Sequence, residues 1–154
     1  MKLSTKGRYG LRALVDLAQY SEKAPVSINS IAARQDISER YLEQLMAKLK
    51  KAGLIKSIRG AAGGYVLSKS PSEISVGDVL RALEGDLEPA ECSAYHEEGC
   101  KAADICVTKY VWKKINESIN DTVDGIGLDE LVAESKQVCG QKDANRARKC
   151  QGTK

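Results

Sequence analysis

The segment 38–67 has the sequence SERYLEQLMAKLKKAGLIKSIRGAAGGYVL, in which a helix is followed by a hairpin. Ser38 is a good N-cap, because its hydroxyl can accept a hydrogen bond from a first-turn N–H, and Gly53 suits a left-handed helix end. Between these residues, apolar side chains recur at helical spacing; they are Leu42, Leu45, Met46 and Leu49. The first part of the segment therefore predicts one well-capped amphipathic helix.

Two β-prone runs follow that helix, and a glycine-rich turn separates them. The runs are 54–58 (LIKSI) and 65–67 (YVL), and the turn is 59–64 (RGAAGG). Such a pattern predicts a β-hairpin. A hairpin directly after a helix of this kind is typical of a wing, whose small residues and Arg59 can approach a phosphate backbone or a minor groove.

The residues before this segment predict two further helices. From Thr5 to Tyr20 the apolar residues form one stripe, and Ser27 can cap a short helix that ends before a turn at 36–38. Two short helices joined by a few residues, the second strongly capped, predict a helix-turn-helix.

Beyond the hairpin, Ser75 and Asp78 resemble a capping box that opens another helix, which Gly85 closes. A long helix follows residue 106, with an apolar stripe that little else in so small a chain can cover, and a short last helix covers Leu128–Val132. We predict that the stripe pairs with its copy in a homodimer. It consists of Val107, Val111, Ile115 and Ile119.

The predicted fold is mainly α with a small β-hairpin wing: a winged helix-turn-helix plus a long C-terminal dimerisation helix. We divide the chain into a DNA-binding domain (1–84), a cysteine-bearing loop that we call the cysteine segment (85–106), dimerisation helices (107–134) and a disordered basic tail (135–154).

Charge is distributed unevenly along the chain. Residues 1–70 carry a net charge of +8, residues 71–138 carry −9 and the tail carries +4. A basic first half joined to an acidic second half favours a module that binds a polyanion. We expect a cytoplasmic protein, because the sequence has no apolar run that suits a membrane span or a secretory signal. In that reducing compartment, the five cysteines favour metal or redox chemistry over disulfides.

Three blocks of this sequence resemble the Rrf2 family of winged-helix transcription regulators. They are MKLSTKGRYG at 1–10, YLEQL at 41–45 and the wing RGAAGGYVL at 59–67, and the resemblance runs from Met1 to about Val132. It implies a homodimer on a pseudo-palindromic DNA operator, with recognition helices in the major groove and wings in the flanking minor grooves.

The resemblance also implies which residues contact DNA. The base-facing candidates are Ser38, Arg40, Glu43 and Gln44, while Tyr41, Arg59 and Gly60 lie near the backbone or minor groove. The helical pattern agrees independently, since the face opposite the apolar stripe presents groups that can bond base edges or phosphates; these are Arg40, Glu43, Gln44 and Lys48.

Cys92, Cys100 and Cys106 are candidate metal ligands, because thiolates are soft donors that suit iron–sulfur clusters or zinc. One branch of the family carries three cysteines here, holds a 2Fe–2S cluster and controls genes for cluster assembly; another uses a 4Fe–4S cluster that reacts with nitric oxide. The resemblance favours an iron–sulfur cluster, 2Fe–2S over 4Fe–4S, with zinc as the alternative.

The fourth ligand is open. The cluster-binding branch has a histidine three residues after the third cysteine, where this chain has Lys109, a poor ligand. His96 and a carboxylate are candidates, and an exposed loop histidine is an equal interpretation of His96. Cys139 and Cys150 match nothing in the family core, and we interpret them as free thiols.

Three other functions stay open within the family, and one of them is a repressor that responds to nitric oxide through a 4Fe–4S cluster. The wing is more similar to that of a branch that lacks the cysteines and regulates cysteine and sulfur metabolism through a protein partner, and a zinc-stapled regulator is also compatible. An enzyme is disfavoured, because the sequence has no C-x-x-C pair, phosphate-binding loop or nucleophile–base signature.

Overall fold

A computed structural model describes residues 3–90 and 105–138, which form helices around one small hairpin. The last helix, α6, is helical over 128–138. The other elements are α1 (Thr5–Tyr20), α2 (Ile28–Gln35), α3 (Glu39–Lys51), β1 (Ile55–Ile58), β2 (Gly64–Leu67), a 3-10 turn (Pro71–Glu73), α4 (Val76–Glu84) and α5 (Lys109–Asp124). The mainly α architecture with a hairpin wing is confirmed.

Serine caps set where the helices begin, as the sequence predicted for α2, α3 and α4. The Ser27 hydroxyl accepts from Ser30 N–H at 3.2 Å. At the other two caps, Ser38 accepts from Tyr41 N–H and Ser75 accepts from Asp78 N–H. These bonds satisfy N–H groups that have no partner within the helix.

The main core lies where α1, α2, α3 and α4 meet. It is almost entirely aliphatic, as the absence of Phe requires. At this scale of burial each large side chain contributes about 1.5–3 kcal/mol. The most deeply buried members are Leu14, Leu17, Ile31, Leu42, Leu45, Met46, Leu49, Ile55, Ile74, Val79, Leu83 and Leu128.

The wing is an antiparallel hairpin in which Ile55 pairs with Leu67 and Ile58 with Gly64. Its base is also joined to the segment before α2: Val26 N–H donates to the Tyr65 carbonyl at 3.0 Å, and Tyr65 N–H donates to the Val26 carbonyl at 2.8 Å. A side chain at Gly64 would meet the Val26 carbonyl oxygen at 2.4 Å. This close approach therefore requires glycine.

The C-terminal helices pack against α4 and the main core. Ile119 and Val123 of α5 pack on a second apolar cluster of Val76, Leu80 and Leu87. The helix α6 returns to the main core through Leu128 and Val132, and Leu128 N–H donates to the Ile74 carbonyl.

The predicted boundary of the disordered tail at residue 135 is wrong. Residues 135–138 continue α6, which is longer than the predicted Leu128–Val132. Ser135 Oγ donates to Gln19 Oε1 of α1 at 3.0 Å, and Lys136 pairs with Glu22. These contacts give the last turn of α6 tertiary partners that no local sequence pattern reveals. The remainder of the predicted tail, with Cys139 and Cys150, lies outside the described residues.

Within the described part of the chain, none of the helices is both long and apolar enough to cross a membrane.

Candidate nucleic-acid interface and cysteine site

The helix α3 presents two faces of opposite character. Leu42, Leu45 and Leu49 are buried in the core. The exposed side carries Arg40, Glu43 and Gln44 in its first two turns, next to the Ser38 cap. The structure thus brings four of the predicted base-facing residues to the exposed N-terminal half of one helix.

Tyr41 lies on the flank of α3, where it contacts α1. Its hydroxyl is 3.2 Å from Thr5 Oγ1, and its ring meets that of Tyr9 edge-to-face at a centroid distance of 6.2 Å. The Arg12 guanidinium lies over the other ring of this pair, 5.5 Å from the Tyr9 centroid. Tyr41 therefore fixes α3 on α1 and keeps its hydroxyl at the edge of the exposed face.

The wing turn stands beside α3. Arg59 and Gly60 are exposed, and Gly60 has a φ of 119°, which favours glycine. Lys50 Nζ of α3 donates to Ser57 Oγ of β1 at 2.6 Å. This bond joins the recognition helix to the wing, so the two predicted DNA-contacting elements are held together.

Lys48 departs from the sequence prediction that grouped it with the DNA-facing residues. Its Nζ donates to the Leu83 carbonyl, near the C-terminal end of α4, at 3.0 Å. The carbonyls at a helix C-terminus have no partner within the helix, and a lysine there is favourable. No local pattern could predict this contact, because Lys48 and Leu83 lie far apart in the chain.

An ion pair between the buried Asp16 and the partly exposed Arg34 fixes the turn between α2 and α3, and no sequence pattern predicted it. The Asp16 side chain is 2% exposed, and it accepts from Arg34 Nη2 at 2.6 Å and from Gln35 Nε2 at 2.9 Å. Arg12 Nη2 donates to the Gln35 carbonyl at 2.7 Å, just before the left-handed Asp36. A carboxylate among the apolar residues of α1 was the available signal, since a buried charge requires a partner.

Cys106 precedes α5 and is partly exposed. Its Sγ lies 3.1 Å from Thr108 Oγ1. The hydrogen bond from Thr108, followed by the backbone N–H of Lys109, lowers the pKa of the Cys106 thiol. A thiol that ionises readily is suited to soft-metal ligation, since the thiolate is the ligand.

The other predicted ligands, Cys92, Cys100 and His96, lie outside the described residues. Within 3–90 and 105–138, the His, Cys, Asp and Glu side chains form no group of three that could hold a metal. Lys109 is the first residue of α5.

A capped, exposed second helix beside a hairpin defines a winged helix-turn-helix, a class of DNA-binding module. The profile of the Rrf2 family, described as an iron-dependent transcriptional regulator, matches residues 3–134. The chain belongs to the Rrf2 family of transcriptional regulators. The predicted family, fold class and non-enzymatic role are thereby confirmed.

Individual relatives fall into two groups by name. The transcriptional regulator IscR of Pectobacterium carotovorum is 41% identical over 154 residues, covering 99% of this chain and 93% of the relative. The solved structure of T. potens IscR is 46% identical, with a TM-score of 0.72 and 90% of each chain covered. The structure of CymR, the global cysteine regulator of B. subtilis, is 41% identical with a TM-score of 0.72, covering 87% of this chain and 98% of that one.

Proposed function

We propose that this regulator binds a pseudo-palindromic DNA operator as a homodimer and that an iron–sulfur cluster on the cysteine segment adjusts its affinity. The observation that carries the DNA-binding half is the exposed row of Arg40, Glu43 and Gln44 beside the wing. Arginine and glutamine can form paired hydrogen bonds with guanine and adenine edges, and the glutamate can accept from cytosine.

In this proposal the wing supplies a DNA contact that does not depend on the base sequence of the operator. Arg59 and Gly60 lie at an exposed turn with small neighbours, which allows close approach to a phosphate backbone or a minor groove. Ser38 adds a hydroxyl to the base-reading face, and Tyr41 at its flank offers a hydroxyl for a phosphate oxygen. The +8 charge of residues 1–70 attracts the DNA polyanion over longer distances.

The face of α5 supports the homodimer. None of the residues of this sixteen-residue helix is buried in the single chain, and its outer side carries large apolar side chains. Trp112 is 37% exposed and Ile115 is 38% exposed, and Ile115 lines a groove of about 470 Å³ together with Ile119 and Val123. A second copy of α5 would cover these side chains and would present two α3 helices to half-sites about one helical turn apart.

The donor chemistry fits an iron–sulfur cluster. Cys106 has a lowered pKa and a partly exposed sulfur, and with Cys92 and Cys100 it would supply three thiolates. Three cysteines leave one position for His96 or a carboxylate. A bound cluster supplies a group whose charge and occupancy change with iron, oxygen or nitric oxide. We favour 2Fe–2S over 4Fe–4S by resemblance, and control of cluster-assembly genes in the bacterial cytoplasm.

Anaerobic purification tests the cluster. We expect a coloured protein with iron and acid-labile sulfide, and Cys106→Ala should lose both while remaining folded. Operator binding, measured by fluorescence anisotropy, should differ between loaded and metal-free protein. One zinc per chain without sulfide would identify a zinc-stapled regulator instead. A colourless, metal-free protein whose DNA binding ignores Cys92, Cys100 and Cys106 would exclude sensing through a metal.

The likeness to CymR favours a second candidate, a regulator of cysteine metabolism that works without a cluster. This candidate predicts that a variant with all three cysteines replaced by alanine keeps wild-type regulation in cells. The same variant loses regulation if the cluster acts as the sensor.

A further inference from the structure

The C-terminal end of α4 is hydrogen-bonded both to α3 and to the start of α1. The α4 residue Leu83 accepts the Lys48 ammonium of α3 through its carbonyl at 3.0 Å. One residue later, the Glu84 carboxylate accepts from the Ser4 hydroxyl at 2.7 Å and from the Gly7 N–H at 2.8 Å, which caps the start of α1.

The start of α1 in turn contacts α3, which closes a three-helix ring of contacts. Thr5 is adjacent to the capped Ser4, and its hydroxyl lies 3.2 Å from that of Tyr41. Tyr41 and Lys48 are two turns apart on the same flank of α3. The helix is therefore held at one point by α1 and at another by α4, and Glu84 joins these two supports.

Close packing makes the ring stiff. A Cβ at Gly7 would meet Glu84 Oε1 at 2.8 Å, and one at Gly10 would meet Leu83 Cδ1 at 2.3 Å, so α1 and α4 touch through glycine. Leu83 is 1% exposed. A displacement of the α4 end cannot be absorbed by loose side chains in this contact, because tightly packed interiors transmit strain.

The cysteine segment begins directly after this ring. Gly85 follows Glu84, and Leu87 is buried against Val76 and Leu80 of α4. The described start of the segment, residues 85–90, is thus anchored to the same helix whose last two residues bond α1 and α3. This arrangement gives any rearrangement around the cysteines a short mechanical route to the recognition helix.

We propose that Lys48 and Glu84 are positioning residues that couple the cysteine segment to the orientation of α3, and through it to DNA binding. This inference rests on the proposed cluster function. Neither residue needs to touch a base, because each acts by holding helices whose relative position sets how Arg40, Glu43 and Gln44 meet the groove. Coupling of this kind requires the two states of the segment to favour different positions of the α4 end.

Operator affinity of the loaded and metal-free proteins tests the coupling. In Lys48→Met, we expect the ratio of the two affinities to fall by about fivefold, within the range of such coupling free energies. Lys48→Arg can still reach the carbonyl and should restore the ratio. Lys51→Met removes the same charge from an exposed site near the end of α3, and it should weaken both forms equally. A Lys48→Met protein that keeps the wild-type ratio would overturn the inference.

Hydrogen exchange of the metal-free protein gives a readout that needs no cluster. Glu84→Gln should raise exchange by roughly fivefold not only in the first turn of α1 but also in α3, because the two helices share the ring. Faster exchange confined to the first turn of α1 would identify a local cap and refute the coupling. If instead the wild-type protein binds DNA equally well in both forms, the cluster function fails, and the exchange result still decides whether the ring is stiff.

Discussion

Glu84 illustrates how one carboxylate can serve a helix other than its own. It ends α4, yet its oxygens accept bonds from Ser4 and Gly7 at the start of α1. Burial alone would raise the pKa of Glu84, but the bonds from the Ser4 hydroxyl and from the Gly7 and Ser4 N–H groups, with Lys6 nearby, outweigh it and lower the pKa. The ionised form is therefore the form that stabilises the fold.

The stability that Glu84 contributes should depend on pH. Because the pKa is lower in the folded protein than its ordinary value of 4.5, the contribution is complete above that value and is lost as the pH falls through the lowered folded pKa. Glu84→Gln should lower the free energy of unfolding by about 1 kcal/mol at pH 7, as loss of a helix cap does.

Urea titrations of both proteins between pH 7 and pH 3 measure this difference. We expect the two stability curves to converge at the acid end. Glu117→Gln, on the exposed side of α5, should run parallel to wild type. A Glu84→Gln deficit that is the same at every pH would show that the ionised carboxylate is not the stabilising form.

The ion pair of Asp16 and Arg34 also stabilises the helix-turn-helix, because it fixes the turn between α2 and α3. Arg34→Met should leave the buried Asp16 carboxylate with Gln35 as its remaining bonded partner. Arg34 is partly exposed, so we expect a cost of about 2 kcal/mol, below that of breaking a fully buried pair. Arg8→Met, an exposed change on α1, should stay within about 0.5 kcal/mol of wild type. Thermal and urea unfolding measure both variants, and equal stabilities would argue against this role of the pair.

Sequence patterns predicted the caps at Ser27, Ser38 and Ser75, because a cap bonds within three residues and its signal is local. They did not predict the partners of Lys48 or Asp16. Those contacts join segments that are distant in the chain, and a side chain's partner across such a distance depends on how whole helices pack.

At the scale of elements, α1 and α4 meet through Gly10 and Leu83. An alanine at Gly10 would favour the helix by its intrinsic propensity but would place a methyl 2.3 Å from Leu83 Cδ1. We expect overpacking to win and Gly10→Ala to destabilise the protein by about 1–3 kcal/mol.

A double-mutant cycle isolates this contact. Leu83→Ala removes the methyl groups that obstruct the new side chain, so the two costs should not add, and the double variant should be more stable than their sum predicts. Urea unfolding of the four proteins measures the interaction. Additive costs would mean that the added methyl group does not press on Leu83, and they would contradict the overpacking explanation.

A second set of element contacts connects α4 to α5. Arg81 Nη1 donates to Asn120 Oδ1 at 3.0 Å, and the same guanidinium pairs with Asp124. These bonds hold the C-terminal half of α5 on the DNA-binding domain, while Trp112 and Ile115 project beyond it. The helix itself was predictable from its apolar stripe, but the contacts that attach its C-terminal half to α4 were not.

At the scale of the whole molecule, we expect the apolar side chains of Trp112 and Ile115 on α5 to mediate the proposed homodimer. Ile115→Glu places a charge in the apolar face and should shift sedimentation from dimer to monomer, with at least a tenfold loss of operator affinity because two linked half-sites no longer act together. The single chain should stay folded, since Ile115 is not part of either core cluster. Glu117 lies two residues further along α5, about half a helical turn away. Glu117→Gln serves as the charge control and should remain dimeric.

An Ile115→Glu protein that still sediments as a dimer would exclude this face as the interface.

The mainly α fold and its wing could be predicted from local patterns together with the three family-like blocks. The end of α6 could not, because the turn that contains Ser135 and Lys136 is stabilised by contacts with α1 and has no apolar repeat of its own.

The two hydrogen bonds between Val26 and Tyr65 also affect how the tip of the wing can change without disturbing the helix-turn-helix. They brace the base of the hairpin against the helix-turn-helix, whereas the tip from Arg59 to Gly63 lies beyond that brace. An insertion or exchange at Ala61 and Ala62 would lengthen or reshape the tip without transmitting a shift to α3. With the docking proposed above, the minor-groove preference of the wing could thus be changed, by selection or by engineering, while the residues proposed to read the major groove stay the same.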